Sequence, residues 1–167
     1  MDILTFVKEV EFEIKDNLGF DVLWDSMTGK HRTNIGTMLL NWMGYEGSDR
    51  KIKQTFLMLL ESNEIEYKEI GFDDPLIKEF HEIQEELKIM LPMNRKTKKW
   101  LIMEPDNFKE AIMSLTTKRS KEIRKYYLQL EKMALILINS KIDNLRQKMI
   151  RFKLTWSYFT SERSSHR

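Results

Sequence analysis

The sequence predicts a mostly α-helical fold (α+β): a compact multi-helix domain with a small two-stranded β-hairpin and a long C-terminal helix. Three observations predict it. Apolar residues recur every three to four positions through most of the chain, as one buried helix face requires. Only residues 65–72 and 100–103 read as strands between turn signals. From Ile123 onward apolar residues keep helical spacing to Phe152 without a proline or glycine.

The elements follow in order. Ile3, Phe6, Val7, Val10 and Ile14 make one face of a helix over residues 2–15. Asp21 to Ser26 reads as one short turn. The next helix runs from about Thr33 to Met43, with Ile35, Met38, Leu39 and Trp42 as its stripe and Gly44 at the position where a left-handed residue is wanted. Ser48 stands as the cap of a helix over Asp49 to Glu61, whose stripe is Ile52, Phe56, Leu59 and Leu60. Arg50, Lys51 and Lys53 crowd its first turn, where the helix dipole disfavours cations. Such crowding is either plain exposure to solvent or a place for an anion.

Ile65 to Phe72 alternates imperfectly and reads as a strand. Pro75 then starts a helix that runs to about Met90. Met93 to Lys99 is a basic loop, and Trp100 to Met103 is a second strand paired with residues 65–70. Pro105 opens a helix carrying Phe108, Ile112 and Leu115. Thr117 is a suitable cap for a last helix beginning at Lys118, which is either very long or broken near Asn139 and Ser140. Residues 1–138 form one helical domain; 139–167 are a C-terminal helical extension and a mobile, Ser-ended tail.

Composition narrows the chemistry. The absence of cysteine excludes a disulfide scaffold, a thiolate metal site and a cysteine nucleophile. His31, His81 and His166 stand in no metal-binding frame, and no glycine-rich phosphate loop or nucleophile elbow occurs. Glu86 and Asp106 could supply oxygens to a nuclease metal site, but helix capping and a wet helix face explain both. The expectation is a protein that is not an enzyme, with no cofactor and no metal. No run is apolar enough to span a membrane, and the start of the chain does not read as a signal peptide. The chain is therefore expected to stay inside a cell and not to be secreted.

Charge carries the strongest functional signal. Residues 1–90 hold 10 Lys/Arg and 19 Asp/Glu, whereas residues 91–167 hold 18 and 7. Such a basic half either attracts the acidic half within the fold or meets a polyanion. Lys118, Lys121, Lys125 and Lys132 fall in a narrow band of the last helix opposite its apolar stripe, with Arg124 at the edge. Lys98 and Lys99 lie in the basic loop. Cations spaced along a helix can follow phosphates and release counterions. Trp100 and the Tyr126–Tyr127 pair sit beside cations, where a base could stack, although core packing is their default role.

Three segments carry a resemblance: NIGTMLLNWMGYEG (34–47), NEIEYKEIGFDDPL (63–76) and WLIMEPDNFKEAIMSLTTKRSKEIRKYYLQLEKM (100–133). Together they resemble a viral domain family of insect iridoviruses and poxviruses that accompanies baculovirus-repeated-ORF (BRO) and KilA-N type proteins. Thr117-Lys118, Ile123-Arg124, Tyr126-Tyr127 and Leu130-Glu131-Lys132 also resemble the IRxYYxxLEK element of phage antirepressors. The likeness covers residues 34–138. It implies a DNA-binding, transcription-regulating viral protein that acts in the infected cell, in cytoplasm or nucleus. Double-stranded DNA would be the partner. The basic band and loop, not the resemblance, nominate Lys98, Lys99, Lys118, Lys121, Arg124 and Lys125 as its phosphate contacts. The helices over 33–43 and 49–61 would form a helix-turn-helix-like pair with the strands as a wing. The alternative is a protein-interaction module without a nucleic-acid role, pairing with a partner or a second copy through the long C-terminal helix.

Overall fold

The structure is a computed structural model that describes residues 17–29 and 31–164, with side chains over 21–29 and 31–157. The expected helix over 2–15 and the end of the tail lie outside the described residues. Chain contacts divide the molecule into a unit of residues 14–128 and a second unit that includes Gln129–Arg167.

The first unit is helices gathered on a small antiparallel sheet. Its elements are α1 (Asn17–Thr28), β1 (Thr33–Asn34), α2 (Thr37–Trp42), α3 (Asp49–Ser62), β2 (Lys68–Ile70), a 3-10 turn (Pro75–Glu79), α4 (His81–Ile89), α5 (Pro92–Thr97), β3 (Trp100–Met103) and α6 (Pro105–Ser114). The last helix, α7 (Ser120–Ser164), begins in this unit.

The expected pairing of the two strands is present: Lys68 faces Ile102, Glu69 faces Leu101 and Ile70 faces Trp100. A third strand joins them. Thr33 and Asn34, expected at the start of a helix, instead pair with Met103 and Ile102, giving the order β1-β3-β2. Ile35 extends the pairing by donating to the Leu101 carbonyl at 2.8 Å, so the helix cannot begin before Gly36. All four residues of β3 are buried, which is why its sequence is a continuous apolar run without alternation. Trp100 and Ile102 pack with Ile70, Ile77, Phe80 and Ile83. Leu101 and Met103 point to the opposite face and are equally buried.

Other departures have local causes. Residues 21–26 belong to a full helix, not one turn, and α1 packs against α6. Its buried side includes Ser26, whose hydroxyl donates to the Pro105 carbonyl at 3.3 Å; a serine in the stripe hides the apolar period. The expected helix from Pro75 to Met90 breaks at Phe80, which takes an extended conformation and buries its ring against the sheet. The Gln84 amide bridges the break by donating to the carbonyls of Ile77 and Lys78. Asp74 caps the 3-10 turn through the Leu76 N–H at 2.9 Å. The basic loop is the short helix α5, started by Pro92 at its first turn. Ser48 precedes α3 as expected, but its side chain makes no capping bond. In the second unit, α7 runs through Asn139 and Ser140 without a break and continues to Ser164.

Candidate nucleic-acid interface

The two groups of expected contacts sit on different supports. The first, Lys118 to Lys125, lies where α7 begins. Helix α7 starts at Ser120, two residues later than expected, because Thr117 is engaged elsewhere. Its hydroxyl donates to the Met43 carbonyl at 2.5 Å, and Arg119 donates to the Trp42 carbonyl at 2.8 Å. Both satisfy carbonyls that the end of α2 leaves without helical partners. The Arg119 guanidinium also stands 5.8 Å from the centroid of the Trp42 ring. Gly44 makes the approach feasible: its φ is +95°, and a β-carbon there would lie 2.9 Å from the Thr117 hydroxyl.

This junction sets the orientation of the first turns of α7. Ile123, Tyr126 and Tyr127 are buried, so Lys118, Lys121 and Lys125 project outward and are exposed. None of these lysines makes an ion pair among the described residues. By contrast Arg32, Lys53, Lys68, Lys88, Lys98, Lys109 and Arg119 all have carboxylate partners. Arg124 is turned inward. It donates to the Leu115 carbonyl at 2.8 Å and to the Ser120 hydroxyl at 3.4 Å, so its guanidinium closes the end of α6.

The second group lies between α5 and β3. Lys98 pairs with Glu86, whose other carboxylate oxygen accepts from the Trp100 indole at 2.9 Å. The Lys98 ammonium is 5.7 Å from the centroid of that ring. Partial burial works against the Glu86 charge, but hydrogen bonds from Lys98 and Trp100 and the lysine charge outweigh it. They hold the carboxyl below the ordinary glutamate value. Lys99 is exposed, and its ammonium passes close over Gly71.

Lys98 and Lys99 border a groove of about 820 Å³ that also takes in Arg50, Lys53 and Glu82. Lys53 bonds to Glu69 at 2.9 Å and reaches the Lys99 carbonyl at 3.4 Å. Arg50 and Lys53 in one groove with Lys98 and Lys99 is an arrangement that no single stretch of sequence contains. Its one trace was the crowding of cations on the first turn of α3. The buried Asn34 side-chain oxygen, which has no hydrogen-bond partner among the described residues, belongs to a groove-lining residue.

The aromatic residues next to these cations are core residues. Trp100, Tyr126 and Tyr127 are all buried, which removes their faces from any stacked base. Glu86 and Asp106 are each paired with a lysine, Asp106 with Lys109 at 2.9 Å, and no cluster of metal-binding side chains occurs among the described residues. No described helix is long and apolar enough to cross a membrane.

Comparison with known proteins places the chain among viral relatives. It is 44% identical over 133 residues to the MSV199 domain-containing protein 212L of Invertebrate iridescent virus 6, covering 80% of this chain and 37% of that protein. It is 40% identical over 135 residues to protein 211L of the same virus, covering 79% and 34%. Protein 468L is 34% identical over 149 residues, covering 89% and 39%. The chain thus spans between a third and two-fifths of the length of these curated relatives. No solved structure matches it. The family model of the MSV199 domain matches residues 1–134, and the chain belongs to the MSV199 domain family.

Proposed function

We propose that this chain is a non-enzymatic DNA-binding protein of a virus, acting as a transcription regulator in the infected cell, as BRO, KilA-N and antirepressor proteins would by resemblance. The observation that carries this reading is the set of Lys118, Lys121 and Lys125, all exposed and without counter-ions among the described residues, whereas seven other cations of the unit, from Arg32 to Arg119, have carboxylate partners. An unpaired cation has already lost nothing to an internal partner, so a phosphate gains its full attraction. The Thr117–Arg119 junction fixes these lysines on a rigid base. Helices α2 and α3, joined by a turn and packed together, provide the helix-turn-helix-like pair, with Arg50, Lys51 and Gln54 exposed on α3.

The six expected cations do not contribute equally. Lys98 is held by Glu86 and Arg124 by the Leu115 carbonyl, which leaves Lys99, Lys118, Lys121 and Lys125. Four neutralised phosphates give a slope of about −3.6 for log K against log[salt] on duplex DNA. A titration of duplex, single-stranded and RNA probes across salt concentrations measures it. Reversal of Lys118, Lys121 and Lys125 to Glu should abolish most of the binding. A flat salt response, or unchanged affinity in the reversed variant, would sink the reading.

A further inference from the structure

The second unit carries a feature that the DNA reading leaves unused. Leu135, Ile138, Ile142, Leu145, Met149 and Phe152 follow one another at spacings of 3, 4, 3, 4 and 3 within α7. That is an unbroken a/d heptad repeat over about 26 Å of helix. Every one of the six is exposed, between 41% and 68%. Trp156 continues the spacing, its ring stacked against Phe152 at 6.4 Å. Single apolar residues on a surface are ordinary, but a continuous stripe in strict register is what one helix presents to another.

The flanks of the stripe say which helix. With Leu135 at a, the e and g positions are Asn139, Lys141, Arg146, Lys148, Lys153 and Thr155. Four are cations and none is acidic. A second copy laid parallel would set Lys141 against Arg146 and Lys148 against Lys153. Laid antiparallel, it would set cations of the same rows against each other. Either orientation places like charges along both edges, and e/g charges determine partner choice in coiled coils. Arg146 makes its ion pair with Asp143 of its own helix, at 3.7 Å, and the three lysines make none among the described residues.

We propose that the stripe from Leu135 to Phe152 is a coiled-coil seam for a helix of another protein whose own e and g positions are acidic. The apolar seam supplies the affinity, and the basic edges reject self-pairing in favour of the acidic-flanked partner. This inference does not depend on the DNA reading, because it uses neither the same residues nor the same unit.

The test uses the full chain and two synthetic heptad peptides. Both have Ile and Leu at a and d, with Glu at every e and g in one and Lys in the other. Fluorescence anisotropy should show the Glu peptide bound at least about tenfold more tightly than the Lys peptide, with the preference shrinking as salt rises. Ile142→Asp with Leu145→Asp, both at exposed positions, should abolish binding without loss of helical circular dichroism. Reversal of Lys141, Arg146, Lys148 and Lys153 to Glu should turn the preference toward the Lys peptide. Binding of neither peptide would overturn the proposal. So would a dimer in sedimentation that the Glu peptide does not displace and the Ile142→Asp/Leu145→Asp variant dissolves; the occupant would then be a second copy.

Discussion

Glu86 controls whether Lys98 is available. It is the counter-ion of that lysine and the acceptor of the buried Trp100 indole. Glu86→Gln keeps an acceptor for the indole and releases the ammonium. On the DNA reading this variant should bind duplex more tightly, with the salt slope steeper by about 0.9, measured in the same titration. The same residue sets a pH dependence. Its folded-state value is lowered, so its contribution to stability is present above the ordinary glutamate range and is lost as pH falls through the lowered value. The difference in melting temperature between wild type and Glu86→Gln should therefore be largest near neutrality and vanish in acid. A difference independent of pH would show that the ion pair contributes nothing to stability. Tyr45 shows burial acting alone: its hydroxyl lacks a partner among the described residues, and burial pushes its ionisation up to about 12. Its ring lies edge-on to Phe56, 5.8 Å between centroids, tying the α2–α3 turn to the core.

At the scale of elements, the organising contact is the end of α2 against the residues before α7. Three features meet there: the carbonyls of Trp42 and Met43, the donors Arg119 and Thr117, and Gly44. Gly44→Ala introduces both a left-handed backbone at a residue with a β-carbon and a contact of 2.9 Å with Thr117. The strain and the overpacking together should cost about 2–4 kcal/mol, read as a fall in the denaturation midpoint. A cost below about 0.5 kcal/mol would mean that the junction yields easily and does not hold the lysine row. The sheet makes a related point. β1 has only two residues, yet it occupies an edge of β3 whose other edge is filled by β2. An apolar run such as WLIM, buried on both faces, is most stable in the middle of a sheet, and the third strand puts it there.

At the scale of the molecule, the polarity of the sequence resolves into units. Residues 14–128 hold 19 Lys/Arg and 19 Asp/Glu, so the first unit has no net formal charge. Arg32 with Glu104 and Lys98 with Glu86 join the acidic and basic halves of the chain directly. DNA binding by this unit would rest on a local row of cations and not on an overall field. Residues 129–167 hold 8 Lys/Arg and 3 Asp/Glu. The two proposed activities should separate. The Lys118/Lys121/Lys125→Glu variant should lose duplex binding and keep the acidic-flanked peptide. The Ile142→Asp/Leu145→Asp variant should do the reverse. Anisotropy with each probe on each variant checks this, and joint loss of both activities in either variant would contradict it.

Much of the architecture was legible because it rests on local rules. The periods of α3, α6 and α7, the proline starts of α6 and the 3-10 turn, and the WLIM strand all follow from spacing and backbone chemistry within a few residues. Part of the lysine row was legible for the same reason, since positions 121 and 125 share a side of any helix, whereas Lys118 stands in the turn before α7. Membership of a domain family of iridescent viruses was readable from strings of residues, and the match of residues 1–134 to the MSV199 domain agrees with that much. What tertiary structure decided are matters of distant partners. Thr33 and Asn34 became a strand because β3 had an open edge. Phe80 broke a helix because the sheet had room for its ring. Arg124 and Lys98 were engaged by a carbonyl 9 residues away and a carboxylate 12 residues away. The sequence by itself determined which residues are cationic and which faces of the helices are apolar, because composition and period are local. Which cations stay free for a partner was decided only by the fold, because a counter-ion or a carbonyl can arrive from any part of the chain.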